Sequence, residues 1–162
     1  MKVKDFSIFR LILSVVIIVF FGTVKTFSET SNLNSLFLEV NGDKEAVIEI
    51  NLNFVNAPKA SSRLKELADQ GFYNGVTFHR VIEGFMAQTG DVQFGNSTND
   101  NYDLRRAGTG NSDLPDLKEE FNDLPHVRGT LSMARTSDPN SANSQFFICF
   151  NDKASYLDRQ YT

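Results

Sequence analysis

A single segment of this chain combines an apolar pattern of helical period with signals for a helix start and end. In residues 57–70 the small and apolar side chains recur on one helical face. Pro58 suits the first turn, where its missing N–H is not needed, and Gly71 suits the C-terminal cap. The other apolar runs of the body have the length and pattern of strands: 36–40, 46–53, 76–82, 85–89, 129–134 and 145–150.

A turn signal, Asn41-Gly42, separates the first two strand-like runs. The second run alternates, with Ile48, Ile50 and Leu52 on one face, which predicts a half-buried antiparallel hairpin. Residues 95–116 are rich in Gly, Asn, Asp and Ser and are predicted to form a long loop that is functional or mobile. Many short strands with one clear helix predict a mainly β fold, a barrel or sandwich whose ends are closed by helices.

The first 28 residues differ in character from the rest. Three basic residues precede an apolar run at residues 11–21, which is too short to cross a hydrocarbon core of ~30 Å as a helix. This layout predicts a secretory signal peptide, with cleavage after Ser28. The alternative is an uncleaved membrane anchor over residues 8–24.

Either interpretation of residues 1–28 places the body outside the cytoplasm. We expect it in the periplasm of a Gram-negative bacterium, or anchored in the inner membrane and facing the periplasm. Contact with a membrane is expected only through the N-terminal segment, if it stays uncleaved. Residues 29–35 are polar and are predicted to be a linker, and residues 36–162 are predicted to be one domain.

Charge and cysteine content exclude several classes of function. The chain has 16 basic and 20 acidic residues, and four of the basic and one of the acidic residues precede position 29, so the remainder has a net charge of −7. An acidic body argues against a nucleic-acid partner. The single Cys149 excludes an internal disulfide and a multi-thiolate metal site. His79 and His126 lack metal-ligand spacing and are predicted to be structural, so we expect no metal and no cofactor.

Two longer segments carry the most specific signal. Residues 71–91 read GFYNGVTFHRVIEGFMAQTGD, and residues 128–135 read RGTLSMAR, followed at 138–148 by DPNSANSQFFI. They closely resemble the two signature stretches of cyclophilin-type peptidyl-prolyl cis/trans isomerases, and the resemblance covers residues 36–162. It implies a cyclophilin-like antiparallel β-barrel capped by helices.

The reaction of that family needs neither a nucleophile nor a covalent intermediate. A peptide bond resists rotation, with a barrier of ~18–20 kcal/mol, because nitrogen donates its lone pair into the carbonyl. X–Pro bonds are useful targets because their cis and trans forms differ by only ~0.5–1 kcal/mol. A fixed cationic donor aimed at the nitrogen of the twisted amide would lower the barrier, and the resemblance assigns this role to Arg80.

The resemblance also implies how a substrate would be held. An apolar pocket would take the proline ring, side-chain and main-chain polar groups would bind the substrate backbone, and two tyrosines would stand on the rim. The proline pocket would be lined by Phe85, Met86, Phe147 and Leu157. The substrate backbone would be bound by Gln88 and by the main chain of Ala134 and Arg135. The rim would carry Tyr156 and Tyr161.

Three of these positions depart from common family patterns. Arg135 stands where many members have Asn, which a main-chain role tolerates, and Tyr161 replaces a frequent His. Tyr156 stands where many members have Trp, which weakens the expectation that cyclosporin-like ligands bind tightly.

Two functions stay open at this point. One is an isomerase that assists folding by turning X–Pro bonds in proline-containing polypeptides, and the other is a binding module or chaperone of the same fold. A metal hydrolase has no supporting ligand set. Family members continue past residues 156–158 into a closing strand, a second helix and a final strand, so we expect this sequence to be a fragment of a longer reading frame that lacks them.

Overall fold

The structure, a computed structural model, describes residues 2–4 and 34–162. These residues form two antiparallel sheets, one α-helix and one short 3₁₀ helix, so the predicted mainly β class is confirmed. The elements are β1 (Lys2–Lys4), β2 (Ser35–Val40), β3 (Ala46–Asn51), α1 (Pro58–Asp69), β4 (Arg80–Ile82), β5 (Met86–Thr89), β6 (Leu131–Met133), β7 (Phe146–Cys149) and the 3₁₀ helix Ser155–Leu157.

The first sheet has the strand order β1-β2-β3. Strands β2 and β3 form the predicted hairpin, with Ser35 opposite Asn51 and Val40 opposite Ala46. Its outer strand is less buried than the alternation predicted, and Ile48 is 37% exposed. The reason is that Ile48 borders an open cavity of about 450 Å³ between β3, α1 and β6.

The second sheet has the strand order β4-β5-β7-β6. Its register aligns Arg80 with Gln88, Gln88 with Phe147, and Phe147 with Ser132. Side chains of directly opposed residues project from the same face of an antiparallel sheet. The register therefore places four residues from four strands in one row on that face.

Helix α1 ends as the sequence predicted. Gly71 has a φ of +75°, the left-handed conformation that a side chain disfavours. The N–H of Gly71 donates to Ala68 O at 2.9 Å, and the N–H of Phe72 donates to Leu67 O at 2.9 Å. This pair of bonds satisfies carbonyls that the helix end leaves free.

The main core lies between α1 and the sheets. Leu64 and Leu67 of α1 pack with Leu38 of β2, and all three are almost fully buried. Tyr73 contacts Phe146 edge to face at 5.7 Å between ring centroids, and its hydroxyl donates to a main-chain carbonyl, Ser144 O, at 2.8 Å. Burial raises the pKa of Tyr73 far above its ordinary value.

Several predictions for the ends of the chain stay predictions. The proposed signal peptide or anchor, residues 1–28, lies outside the described residues except for β1, as does the linker up to residue 33. Ser35, assigned to the linker, is the first residue of β2. Of the helices that the structure describes, none has the length and apolar character needed to cross a bilayer.

Candidate active site

One cavity of about 220 Å³ lies against the second sheet and the 3₁₀ helix. Nine of the ten residues predicted from sequence line it, although they come from segments far apart in the chain. They are Arg80, Phe85, Met86, Gln88, Ala134, Arg135, Phe147, Leu157 and Tyr161.

The floor of this cavity is apolar and well packed. Met86, Phe147 and Leu157 are 1%, 6% and 8% exposed and belong to a second hydrophobic cluster, separate from the main core. Cys149 is buried in the same cluster, and burial raises the pKa of its thiol. The floor can therefore accept a small apolar ring without large rearrangement.

Arg80 lies at the edge of this floor, on β4. Its Nη1 donates to Gln88 Oε1 at 3.4 Å and approaches Met86 Sδ at 3.9 Å, both long contacts to neutral acceptors. No carboxylate among the described residues pairs with it. The guanidinium group therefore keeps donors that a substrate can use.

The orientation of Gln88 is set by a second glutamine. Gln88 Nε2 donates to Gln145 Oε1 at 2.9 Å, so the carbonyl oxygen of Gln88 is left for Arg80. Gln145 Nε2 in turn donates to two main-chain carbonyls, Gly110 O at 2.7 Å and Gly108 O at 3.1 Å. This chain of bonds ties Arg80 to the main chain of the long loop.

The loop is itself held by Asp91, which is fully buried. Asp91 Oδ2 accepts from the N–H groups of Gly108 at 2.7 Å and Gly110 at 2.9 Å. Asp91 Oδ1 accepts from Gln93 N at 3.0 Å and Phe94 N at 2.8 Å. One carboxylate thereby satisfies four main-chain donors and fixes the loop beside the site.

Asp91 and Gln145 had no role in the sequence analysis. Both lie inside the two signature segments, so the available signal was a polar residue adjacent to an apolar strand. Their contacts to Gly108 and Gly110 join residues 17 or more positions apart, which no local pattern reveals.

A cationic side chain forms part of the rim. The Arg135 Cζ atom lies 4.4 Å from the centroid of the Tyr161 ring, and that ring contacts Phe147 edge to face at 5.7 Å. Arg135 Nη2 and Nε donate to Gln160 O at 2.8 and 3.1 Å, and Nη1 donates to Thr136 O at 2.7 Å. The resemblance implied only a main-chain role for Arg135.

Two predicted contacts differ in detail from expectation. The N–H of Ala134 donates to Gln145 O at 2.9 Å, so this amide is not available to a substrate. Tyr156 is 60% exposed and does not line the cavity. Its ring lies 6.2 Å from that of Phe85, so it borders the site through Phe85.

His126 packs against Phe147, one of the residues that form the cavity floor. Its ring stacks on Phe147 at 6.2 Å, Nε2 lies 3.0 Å from Ser132 Oγ, and Nδ1 lies 2.9 Å from Asp158 Oδ1. The hydrogen bonds from the His126 main-chain N–H and ring hold the pKa of Asp158 below its ordinary value. Ser132 is 1% exposed and its hydroxyl donates to Thr162 O at 2.9 Å, so this Ser-His-Asp series presents no nucleophile to the cavity.

His79 lies beneath the loop. A Cβ at Gly108 would lie 2.6 Å from His79 Cδ2, so only glycine permits this packing. Burial is the main cause that lowers the pKa of His79, and the nearby Asp91 opposes it. Within residues 2–4 and 34–162, no cluster of three His, Cys, Asp or Glu side chains is placed to hold a metal ion.

Comparisons with known proteins agree with this geometry. Residues 37–162 match the family model described as cyclophilin type peptidyl-prolyl cis-trans isomerase/CLD. A "probable peptidyl-prolyl cis-trans isomerase" of Brucella abortus (strain 2308) is 50% identical over 141 residues, which cover 87% of this chain and 69% of the relative. An Arabidopsis thaliana peptidyl-prolyl cis-trans isomerase is 37% identical over 155 residues, 94% of this chain and 64% of the relative.

Solved structures show the same fold. The crystal structure of a cyclophilin from Hirschia baltica has a TM-score of 0.63 and 27% identity, covering 80% of this chain and 62% of that one. A Cryptosporidium parvum cyclophilin-type isomerase, crystallised in the presence of the dipeptide Ala-Pro, has a TM-score of 0.60 and 29% identity, covering 72% and 69%. The chain thus spans less than two thirds of the Hirschia structure.

Proposed function

Because the chain belongs to the family of cyclophilin-type peptidyl-prolyl cis/trans isomerases, we propose that the cavity beside Arg80 is where it turns X–Pro bonds. One observation carries this proposal: the guanidinium group of Arg80, which keeps N–H donors that a substrate can use, lies at the edge of a buried apolar floor. The floor binds the proline ring, and Arg80 donates to the amide nitrogen once twisting returns its lone pair.

The reduction in the rotation barrier that catalysis requires can be compared with what Arg80 contributes. Shortening an exchange time of ~100 s to ~10 ms requires ~10⁴-fold acceleration, or about 5.4 kcal/mol. One charge-assisted hydrogen bond from Arg80 contributes about 1.5–3 kcal/mol. The remainder must come from binding the twisted substrate more tightly than either planar form. The Gln88–Gln145 bond serves this purpose by holding polar groups in place before substrate arrives.

The substrates we propose are proline-containing segments of folding proteins. The Cryptosporidium relative was crystallised in the presence of Ala-Pro, which supports a proline peptide as the ligand here. The basic and apolar character of residues 1–28 supports export, so the substrates would be periplasmic or other envelope proteins. Cell fractionation tests this, and a stable full-length precursor in the cytosol would contradict it.

The alternative function is a chaperone-like module that holds proline segments without turnover. Exchange NMR or a protease-coupled assay on a short Ala-Pro peptide separates the two, and we expect catalysis that survives EDTA. Folded protein without any acceleration would leave only the binding module.

Arg80→Ala tests the mechanism. Because Arg80 acts on the twisted amide, kcat/KM should fall at least ~10-fold while peptide affinity falls less. Arg105→Ala, at an exposed site paired with Asp103, is the matched control and should leave turnover unchanged. Turnover close to that of the wild type in folded Arg80→Ala protein would remove Arg80 from the mechanism.

A further inference from the structure

The charged side chains lining the cavity are both cationic. They are Arg80 and Arg135, and the lining includes no Asp or Glu. Both guanidinium groups donate to neutral acceptors: Arg80 to a side-chain amide and a thioether, Arg135 to main-chain carbonyls. Neither has a carboxylate partner among the described residues, so the positive charge at this cavity is not neutralised locally.

Arg135 is held in place before any ligand arrives. Two of its nitrogens donate to one carbonyl, Gln160 O, and the guanidinium carbon lies 4.4 Å from the centroid of the Tyr161 ring. A planar cation fixed in this way loses little conformational entropy on meeting an anion. These contacts bring the charge to the rim of a pocket in a body whose net charge is −7.

We propose that the site selects proline segments in which an acidic residue lies directly beside the proline. This rests on the proposed function, since it assumes that proline occupies the apolar floor. With the ring on that floor, the side chains on either side of proline lie near the rim where Arg135 is held. A carboxylate there is attracted by both guanidinium groups, and a lysine there is repelled.

The experiment measures binding and turnover separately. Blocked tetrapeptides Ala-Xaa-Pro-Ala and Ala-Pro-Xaa-Ala, with Xaa as Glu, Gln or Lys, are titrated into the full chain and followed by NMR. We expect the Glu peptide of at least one series to bind about two- to five-fold more tightly than its Gln counterpart, the range of a partly exposed ion pair. Lys should bind more weakly than Gln, and added salt should reduce both differences.

Variants assign the effect to Arg135. Arg135→Gln should bring the Glu/Gln affinity ratio close to one, whereas Arg135→Lys keeps the charge and should keep most of the ratio. The substitution could also displace Tyr161 and weaken the binding of every peptide. Such a general loss of affinity would affect the Glu and Gln peptides equally, so it would not change their affinity ratio. Arg105→Gln, at a residue that does not line the cavity and is paired with Asp103, should leave the ratio unchanged.

Failure of the proposed selectivity can be distinguished from failure of the proposed isomerase function. Equal binding of Glu and Gln peptides by the wild type, or a ratio unaffected by Arg135→Gln, overturns the selectivity. A protein that prefers Glu peptides but accelerates no peptide, including Ala-Ala-Pro-Ala, supports the selectivity and refutes the isomerase function alone.

Discussion

Replacing Asp91 by Asn changes one oxygen to an NH₂ group and leaves the shape of the side chain intact. In the wild type the two carboxylate oxygens accept four main-chain N–H groups, two from Gln93 and Phe94 and two from Gly108 and Gly110. An amide has one oxygen. Whichever way the substituted side chain turns, its NH₂ faces two N–H donors, and two hydrogen bonds are lost.

The size of the loss depends on which pair is given up. Gly110 is buried, whereas Gln93 is exposed, so a hydrogen bond lost at Gln93 should cost less than one lost at Gly110. The amide should therefore turn its NH₂ toward Gln93 and Phe94 and keep the bonds to the glycines. With a buried unmade hydrogen bond costing about 1–3 kcal/mol, we expect a loss of about 2–3 kcal/mol in the free energy of unfolding. Asp91→Ala loses all four acceptor contacts and should cost more.

The assay is urea unfolding of the full chain at neutral pH, with hydrogen exchange of the loop amides. Asp91→Asn should keep Gly108 and Gly110 protected, whereas Asp91→Ala should lose their protection. Asp103→Asn is the control, because Asp103 pairs with the exposed Arg105 in the same loop and should change stability by less than ~0.5 kcal/mol. An Asp91→Asn protein as stable as the wild type would refute the reasoning, since four donors would then not depend on the carboxylate.

Three further predictions concern the surroundings of the site. The pKa of His79 is lowered mainly by burial, so on acidification the unfolded chain binds a proton at a higher pH than the folded chain does. The free energy of unfolding should therefore fall as the pH drops below about 6.5. His79→Gln should reduce this pH dependence, measured as urea unfolding midpoints from about pH 8 to about pH 5. An unchanged slope would show that His79 is not responsible. Gln145→Ala frees the amide of Gln88 and should lower kcat/KM several-fold with a smaller change in peptide affinity; an equal loss in both would point to a binding role instead. Phe85→Ala removes one wall of the cavity and should weaken proline binding and also lower stability, as large-to-small changes do; wild-type affinity by NMR titration would contradict the assignment of Phe85 to the pocket.

Local pattern was sufficient for some of the regular elements, whereas β1 and the 3₁₀ helix were not predicted and the strand predicted over 76–82 begins at Arg80. The β2–β3 hairpin, helix α1 and its glycine cap follow from alternation, helical period and turn chemistry, which act over a few residues. Nine of the ten site residues proposed from the resemblance line one cavity, and seven of these nine lie in the two signature segments, although a short piece such as Phe-His-Arg would by itself be ordinary strand sequence. The burial of β3 was overestimated, because burial depends on what packs across from a strand.

What the sequence by itself determined is the class of fold, the family and the set of side chains around the cavity. Only the tertiary structure decided how those side chains are held: Gln145 orienting Gln88, Asp91 satisfying four loop amides, and Arg135 lying over Tyr161. The physical reason is the separation along the chain over which each kind of interaction acts. Propensity and periodicity are properties of neighbouring residues, whereas a hydrogen bond or a ring contact is decided by distance and orientation between groups that folding alone brings together.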